Sequence, residues 1–173
     1  MPNKILALQV EIGELANEWR GFKHWISNPS PRYERKCHAC KGVGSFPEVS
    51  DSCGYCGGTG VEARPLLEEY VDCLHFILSI GIDSGFEDED ELEYVHVHNI
   101  PVFKNPDGIL EQFQDVFHYI NEYRQWMDDS ERFQDIVMAF ISLGEMLGFT
   151  WEQIEQAYNE KREENVRLQD NGY

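Results

Sequence analysis

Two Cys-x-x-Cys pairs, Cys37/Cys40 and Cys53/Cys56, stand twelve residues apart in the first third of the chain. Two turns that each offer two thiolates, joined by a short loop, match a tetrahedral four-cysteine zinc site. Each pair belongs to a longer repeat, Cys-x-x-Cys-x-Gly-x-Gly. It reads Cys37-His38-Ala39-Cys40-Lys41-Gly42-Val43-Gly44, then Cys53-Gly54-Tyr55-Cys56-Gly57-Gly58-Thr59-Gly60. The glycines let the backbone fold back so that its amides point at the sulfurs. Disulfide bonding or redox catalysis is the competing reading. It requires an oxidising compartment or a thioredoxin-like setting, and the sequence offers neither. The fifth cysteine, Cys73, lies in an apolar helical run and reads as a buried packing residue.

The residues around the pairs, 29–65, are rich in Gly, Pro and Ser and poor in aliphatics. They form an insertion without a core of its own, held together by its metal. On either side the pattern is helical. Ile5, Leu8, Ile12, Leu15, Trp19 and Phe22 recur at steps of three and four, which predicts a helix over 3–25 that stops before Asn28-Pro29-Ser30-Pro31. Pro65 opens a second over 66–82, with Leu67, Tyr70, Val71, Leu74 and Leu78 on one face. Asn105-Pro106-Asp107 starts a third over 107–127. Ser130 caps a fourth that runs through Leu147 to Gly148, and Thr150-Trp151-Glu152-Gln153 is a capping box for a fifth over 151–169. Between the second and third helices, the acidic run Glu87 to Glu93 reads as a solvated loop and Tyr94 to His98 as a short extended piece. Five helices with almost no strand signal define an all-α bundle. Its core uses residues 1–28 and 66–173, with 29–65 as a small inserted zinc module.

Apolar residues make up 42% of the 173, enough to bury a core. Fourteen basic against 32 acidic residues leave a formal charge of −18, which repels nucleic-acid backbone and anionic lipid. Residues 32–64 are locally balanced, five basic against four acidic, but that is no basic patch. No apolar stretch approaches a membrane span, and Met1-Pro2-Asn3-Lys4 has no signal-peptide pattern, so a cytoplasmic location is expected.

Two acidic pairs interrupt otherwise apolar helices. Glu11-Ile12-Gly13-Glu14 sets two carboxylates one turn apart on the first helix, and Glu69-Tyr70-Val71-Asp72 repeats the geometry on the second. Packed antiparallel, these helices bring four carboxylates into one interhelical pocket, where a cation is the natural counter-charge. Oxygen-only ligands select Mg²⁺ or Mn²⁺ over zinc. The alternative is that each pair is simply a solvated face. It weakens because both pairs border the buried stripe.

These motifs resemble known ones. The doubled cysteine repeat is similar to the zinc-binding repeat of the DnaJ chaperones. Glu11-x-x-Glu14 followed by Glu69-x-x-Asp72 resembles the metal signature of the all-α nucleoside triphosphate pyrophosphohydrolases, the MazG and dimeric dUTPase superfamily. The run from Glu11 through Trp19-Arg20 to Phe22-Lys23-His24-Trp25, the run Glu68 to Phe76, and Tyr158-x-x-Lys161 with Asn165 and Gln169 to Tyr173 resemble three separate motifs of the bacterial and phage-type dimeric dUTPases. That family usually has one more helix upstream, whose Gln and Asn contact the uracil, and it has no counterpart here. Leu168 stands where the family has Arg, and Lys161-Arg162 where it has Lys-Asn.

The resemblance implies a homodimer that hydrolyses dUTP, with dUDP as a second candidate substrate, with Mg²⁺ or Mn²⁺ held by Glu11, Glu14, Glu69 and Asp72 and with structural Zn²⁺ on Cys37, Cys40, Cys53 and Cys56. The cation would bind triphosphate oxygens and acidify a water that one carboxylate, Glu14 for instance, orients. Lys161 with Arg162 or Arg167 would meet the phosphates, Asn165 and Tyr173 would complete the pocket, and Lys23 and Trp25 would close over the nucleotide. His75, one turn beyond Asp72, reads as a packing or supporting histidine. A broader MazG-like pyrophosphohydrolase acting on dCTP or non-standard nucleotides, and a non-enzymatic zinc-dependent interaction module, are the alternatives.

Overall fold

Proline opens three of the described helices and glycine closes one, and the apolar stripes between the ends decide how the helices pack. The computed structural model describes residues 1–46, 51–86, 105–127 and 129–170. Within them lie five helices: α1 (Pro2–Trp19), α2 (Pro65–Asp83), α3 (Pro106–Gln125), α4 (Ser130–Leu147) and α5 (Trp151–Asp170). The acidic run Glu87 to Glu93, the extended piece Tyr94 to His98, and Tyr173 lie outside the described residues.

Helix α1 buries Ile5, Leu8, Ile12, Leu15 and Trp19, the expected stripe, but it ends six residues short of the expected end at 25. Arg20 turns left-handed at φ 69°, donating its N–H to Ala16 O, and the ring of Trp19 then covers Gly21 so closely that no side chain fits there. Phe22 consequently leaves the stripe and is 37% exposed. Leu78 of α2 also faces out, at 42%. The other starts follow local chemistry. Asn105 accepts from Gly108 N at 2.8 Å, and Thr150 and Gln153 exchange two hydrogen bonds at 3.0 and 3.3 Å. The cap of α4 is Asp129 instead of Ser130, because its carboxylate accepts from both Arg132 N and Arg132 Nε at 3.2 Å. Gly148, at φ 89°, stops α4, and the chain turns by 109° into α5.

Helices α1 and α2 run antiparallel: Lys4 near the start of one pairs with Asp83 at the end of the other at 2.8 Å. Helices α3 and α4 form a second antiparallel pair, tied by Gln112 Nε2 to Ala139 O at 2.8 Å and Arg132 to Glu122 at 2.7 Å. Trp19 packs tilted against Phe113 at 5.2 Å and Tyr70 stacks on Phe140 at 4.3 Å, joining the two pairs into one core. Helix α5 lies along α2, with Tyr158 over His75. Among the described residues no single helix is long and apolar enough to cross a membrane.

Between α1 and α2 the chain makes four short strands: β1 (Arg35–Lys36), β2 (Ser45–Phe46), β3 (Asp51–Ser52) and β4 (Val61–Ala63). They pair antiparallel as β1 with β4 and β2 with β3. Arg32 closes the base of this loop. Its N–H donates to Glu18 O at 3.1 Å, its guanidinium reaches Glu18 Oε1 at 2.9 Å, and its carbonyl accepts from Leu66 N at 3.2 Å.

The two ends of the α1 stripe should respond differently to truncation. Ile12→Ala should cost about 3 kcal/mol and Phe22→Ala less than about 1 kcal/mol, measured by denaturant unfolding.

Candidate active site

The antiparallel contact of α1 and α2 brings Glu11, Glu69 and Asp72 together, with ligand oxygens within 4.8 Å of one another and all three half-buried. Glu14 is exposed and stands outside this trio, yet its charge acts on Glu69. Burial, then the carboxylates of Glu14, Asp72, Glu11 and Glu18, push Glu69 up to about 7. Burial also raises Glu11, with Asp72 and Glu14 adding to it and Lys161 working against it. Lys161 enters from α5 and donates to Asp72 Oδ2 at 2.9 Å. Burial opposes its charge, but the Asp72 hydrogen bond prevails and holds its pKa above the ordinary lysine value.

Glu18 is the residue that sequence reasoning missed. Its i,i+4 spacing from Glu14 was the available signal. Its Oε1 is held by Arg32, while Oε2 is buried with no partner among the described residues. A set of half-buried carboxylates with only oxygen donors and one lysine fits a hard divalent cation and does not fit zinc.

A cavity of about 620 Å³ opens beside Glu69 and Asp72. Helix α2 forms one side, Ala157, Glu160, Lys161 and Glu164 of α5 another, and Arg35, Thr59 and residues 61–64 of the inserted loop a third. His75 lies nearby, stacked on Tyr158 at 4.3 Å, with Nε2 buried and unpartnered among the described residues. Burial lowers its pKa against the pull of Asp72.

The other expected substrate residues lie elsewhere. Lys23 donates to Asn17 Oδ1 and sits over the Phe22 ring. Trp25 is 63% exposed, edge-on to Phe22 and His24. Arg162 and Arg167 are exposed on α5 and Asn165 is half-buried there. None of these lines the cavity.

The four cysteines converge as their spacing predicts, all Sγ atoms lying within 4.8 Å. Cys37 and Cys53 are 3.9 Å apart and Cys40 and Cys56 3.8 Å, far beyond a disulfide bond of about 2 Å. A tetrahedral shell with Zn–S of about 2.3 Å has edges of about 3.8 Å, so the set fits zinc. The repeat operates symmetrically. Gly44 N donates to Cys40 Sγ and Gly60 N to Cys56 Sγ, both at 3.2 Å. Gly44 and Gly60 adopt positive φ, and a side chain on either would strike the backbone of Gly58 or Gly42 respectively. Burial works against the Cys40 thiolate, but the N–H groups of Gly44 and Gly42 outweigh it and bring its pKa to about 6.

Fold and site together define an all-helical protein with an acidic, oxygen-lined site between two antiparallel helices and a cavity beside it. A family model described as dUTPase matches residues 1–37 and 58–173. The chain belongs to that family, a family of nucleotide hydrolases. The break in the match, residues 38–57, carries Cys40, Cys53 and Cys56. No curated protein and no solved structure matches the chain.

Metal analysis of the purified protein should find one zinc per chain, lost in Cys37→Ser and Cys53→Ser. In buffer freed of magnesium, Glu69→Gln should raise Tm by roughly 2–4 °C, the shift that about 1 kcal/mol makes in a chain of this size. Asp72→Asn should bring no such gain, since it also removes the partner of Lys161.

Proposed function

We propose that the protein hydrolyses dUTP to dUMP and pyrophosphate with Mg²⁺, Mn²⁺ being an acceptable substitute. The observation that carries this reading is the convergence of Glu11, Glu69 and Asp72 within 4.8 Å beside Lys161, in a chain of the dUTPase family. Glu11, Glu69 and Asp72 would hold the cation, with Glu14 at the rim. When bound, the cation supplies charge neutralisation and Lewis acidity at the triphosphate oxygens.

The remaining work falls to the chain. Glu14, outside the trio and exposed, is the carboxylate with room to accept a proton from the attacking water. That water adds to phosphorus as the bond between the α- and β-phosphates breaks. Lys161, on the cavity side of Asp72, meets the charge that develops on the departing oxygen. Tyr158 and His75, one turn from Lys161 and Asp72 on their respective helices, stack on each other and fix α5 against α2.

The four clustered thiols fit structural zinc, and zinc on thiolates is the use of paired cysteines expected in a cytoplasmic protein. A break in the family match over 38–57 supports reading residues 29–65 as an insertion. Leu6 and Val10 of α1 and Leu78 and Ile82 of α2 are exposed large apolar residues, which supports a homodimer.

Turnover of dUTP, dCTP, dTTP and UTP with Mg²⁺ tests the reading. dUTP should be preferred and split to dUMP and pyrophosphate. Glu11→Gln, Glu14→Gln and Asp72→Asn should each lower kcat by about a hundredfold or more, the order expected when a charge-stabilising group or a general base is removed. Equal rates on all four nucleotides would assign a broad MazG-like enzyme instead.

A further inference from the structure

The cavity beside the carboxylates has walls of two characters. On the helical side its charged groups among the described residues are Glu68, Glu69, Asp72, Glu160 and Glu164, with Lys161 as the single cation. The opposite wall is the zinc-bearing loop, which contributes Arg35 and Arg64 against one carboxylate, Glu62. An anionic substrate entering so acidic a space needs cations at more than one point along its length.

Both arginines are available for that task. Arg35 Nη2 lies 3.8 Å from Glu62 Oε1 and Arg64 Nε 3.8 Å from Glu34 Oε1, with the two side chains 61% and 52% exposed. Such long, solvated pairs are worth little, so redirecting either guanidinium costs little. Glu62, moreover, is held more closely by another partner. His38, in the first cysteine turn, gives it a ring contact at 2.9 Å and a backbone N–H at 3.1 Å. Arg64 precedes Glu69 by five residues and Asp72 by eight, about 7.5 and 12 Å along the axis of α2. A polyphosphate anchored at the carboxylates would extend along this line.

The metal site fixes where that wall stands. Strand β1 ends at Lys36 and β4 begins at Val61, and the next bond of the ladder is Cys37 N to Gly60 O at 2.8 Å. Cys37 is one of the four clustered thiols, and Gly60 supplies the N–H that caps Cys56 Sγ. The four-cysteine cluster therefore closes the end of the ladder that carries Arg35 and leads into Arg64.

We propose that the zinc-held loop is a wall of the substrate site, with Arg64 and Arg35 binding the terminal phosphate of the nucleoside triphosphate. The inference rests on the triphosphate reading above. Planar guanidinium groups suit a phosphate's paired oxygens, and this contact sets affinity, while the carboxylates and Lys161 set the rate. Zinc then acts on substrate binding through the loop it holds and takes no part in the chemistry.

The test uses the full zinc-loaded chain with Mg²⁺, calorimetric binding of the non-hydrolysable α,β-imido-dUTP and of dUMP, and steady-state kinetics on dUTP. Arg64→Ala and Arg35→Ala should each raise Kd for the imido nucleotide and KM for dUTP by about tenfold, with kcat within about twofold and Kd for dUMP unchanged. Arg64→Lys should recover part of the loss. Cys53→Ser, with its helix content verified by circular dichroism, should raise KM in the same way.

Wild-type binding separates the failure of the two readings. A wild-type chain that binds no triphosphate overturns both. A wild type that turns over dUTP while Arg64→Ala and Arg35→Ala bind the imido nucleotide as tightly overturns this inference alone. Equal weakening of dUMP binding overturns it too, because the arginines would then read the nucleoside end.

Discussion

The seam between α1 and α2 holds two opposed forces, and the rest of the molecule is arranged around the outcome. Ile5, Leu8, Ile12, Leu15 and Trp19 are buried against the core that α2 shares, and each such side chain contributes about 1.5–3 kcal/mol. The same contact presses Glu11, Glu69 and Asp72 within 4.8 Å. Two like charges at about 5 Å repel by about 3 kcal/mol at an effective dielectric near 20, before water at the half-buried rim screens them. Packing wins, because five apolar residues outweigh a screened repulsion. The repulsion is not removed by winning. Burial first and this repulsion second raise the proton affinity of Glu69 and Glu11, and the repulsion also leaves a lysine drawn in from α5 and a standing attraction for a divalent ion.

What the sequence made legible follows from how local each signal is. Pro65, Asn105, Gly148 and the Thr150–Gln153 box act within one turn of themselves, and each helix end they mark stands where expected. The end of α1 was harder to see. Its stop is an arginine in a left-handed conformation, a residue with no preference for that region, so the apolar spacing carried the expectation on to Phe22. The cysteine cluster was legible because both turns repeat the same eight-residue pattern.

The carboxylate site was legible only in part. Spacing along a helix shows which acids share a face, but it does not show how far each reaches into a seam. Glu14 therefore looks equivalent to Glu11 in sequence and is exposed in the fold, while Glu18 looks like a solvated residue and has a buried oxygen. The cavity had no sequence signal at all. Arg35, Asp72 and Lys161 meet there across more than a hundred residues of chain, and only the packing of α5 on α2 and the closure of the cysteine loop bring them together.

Arg32 joins the last turn of α1 to the first turn of α2 through one residue's own N–H, side chain and carbonyl. The inserted loop is therefore closed at its base by Arg32, and the entropy of bringing α1 and α2 together is spent at that closure. For the bundle's stability, residues added beyond it lengthen a loop whose ends are already fixed. Doubling such a loop costs about 0.6 kcal/mol, little beside the apolar seam it leaves untouched. A fold built this way can acquire, lengthen or lose an excursion at that point during its descent while the helices on either side keep their register.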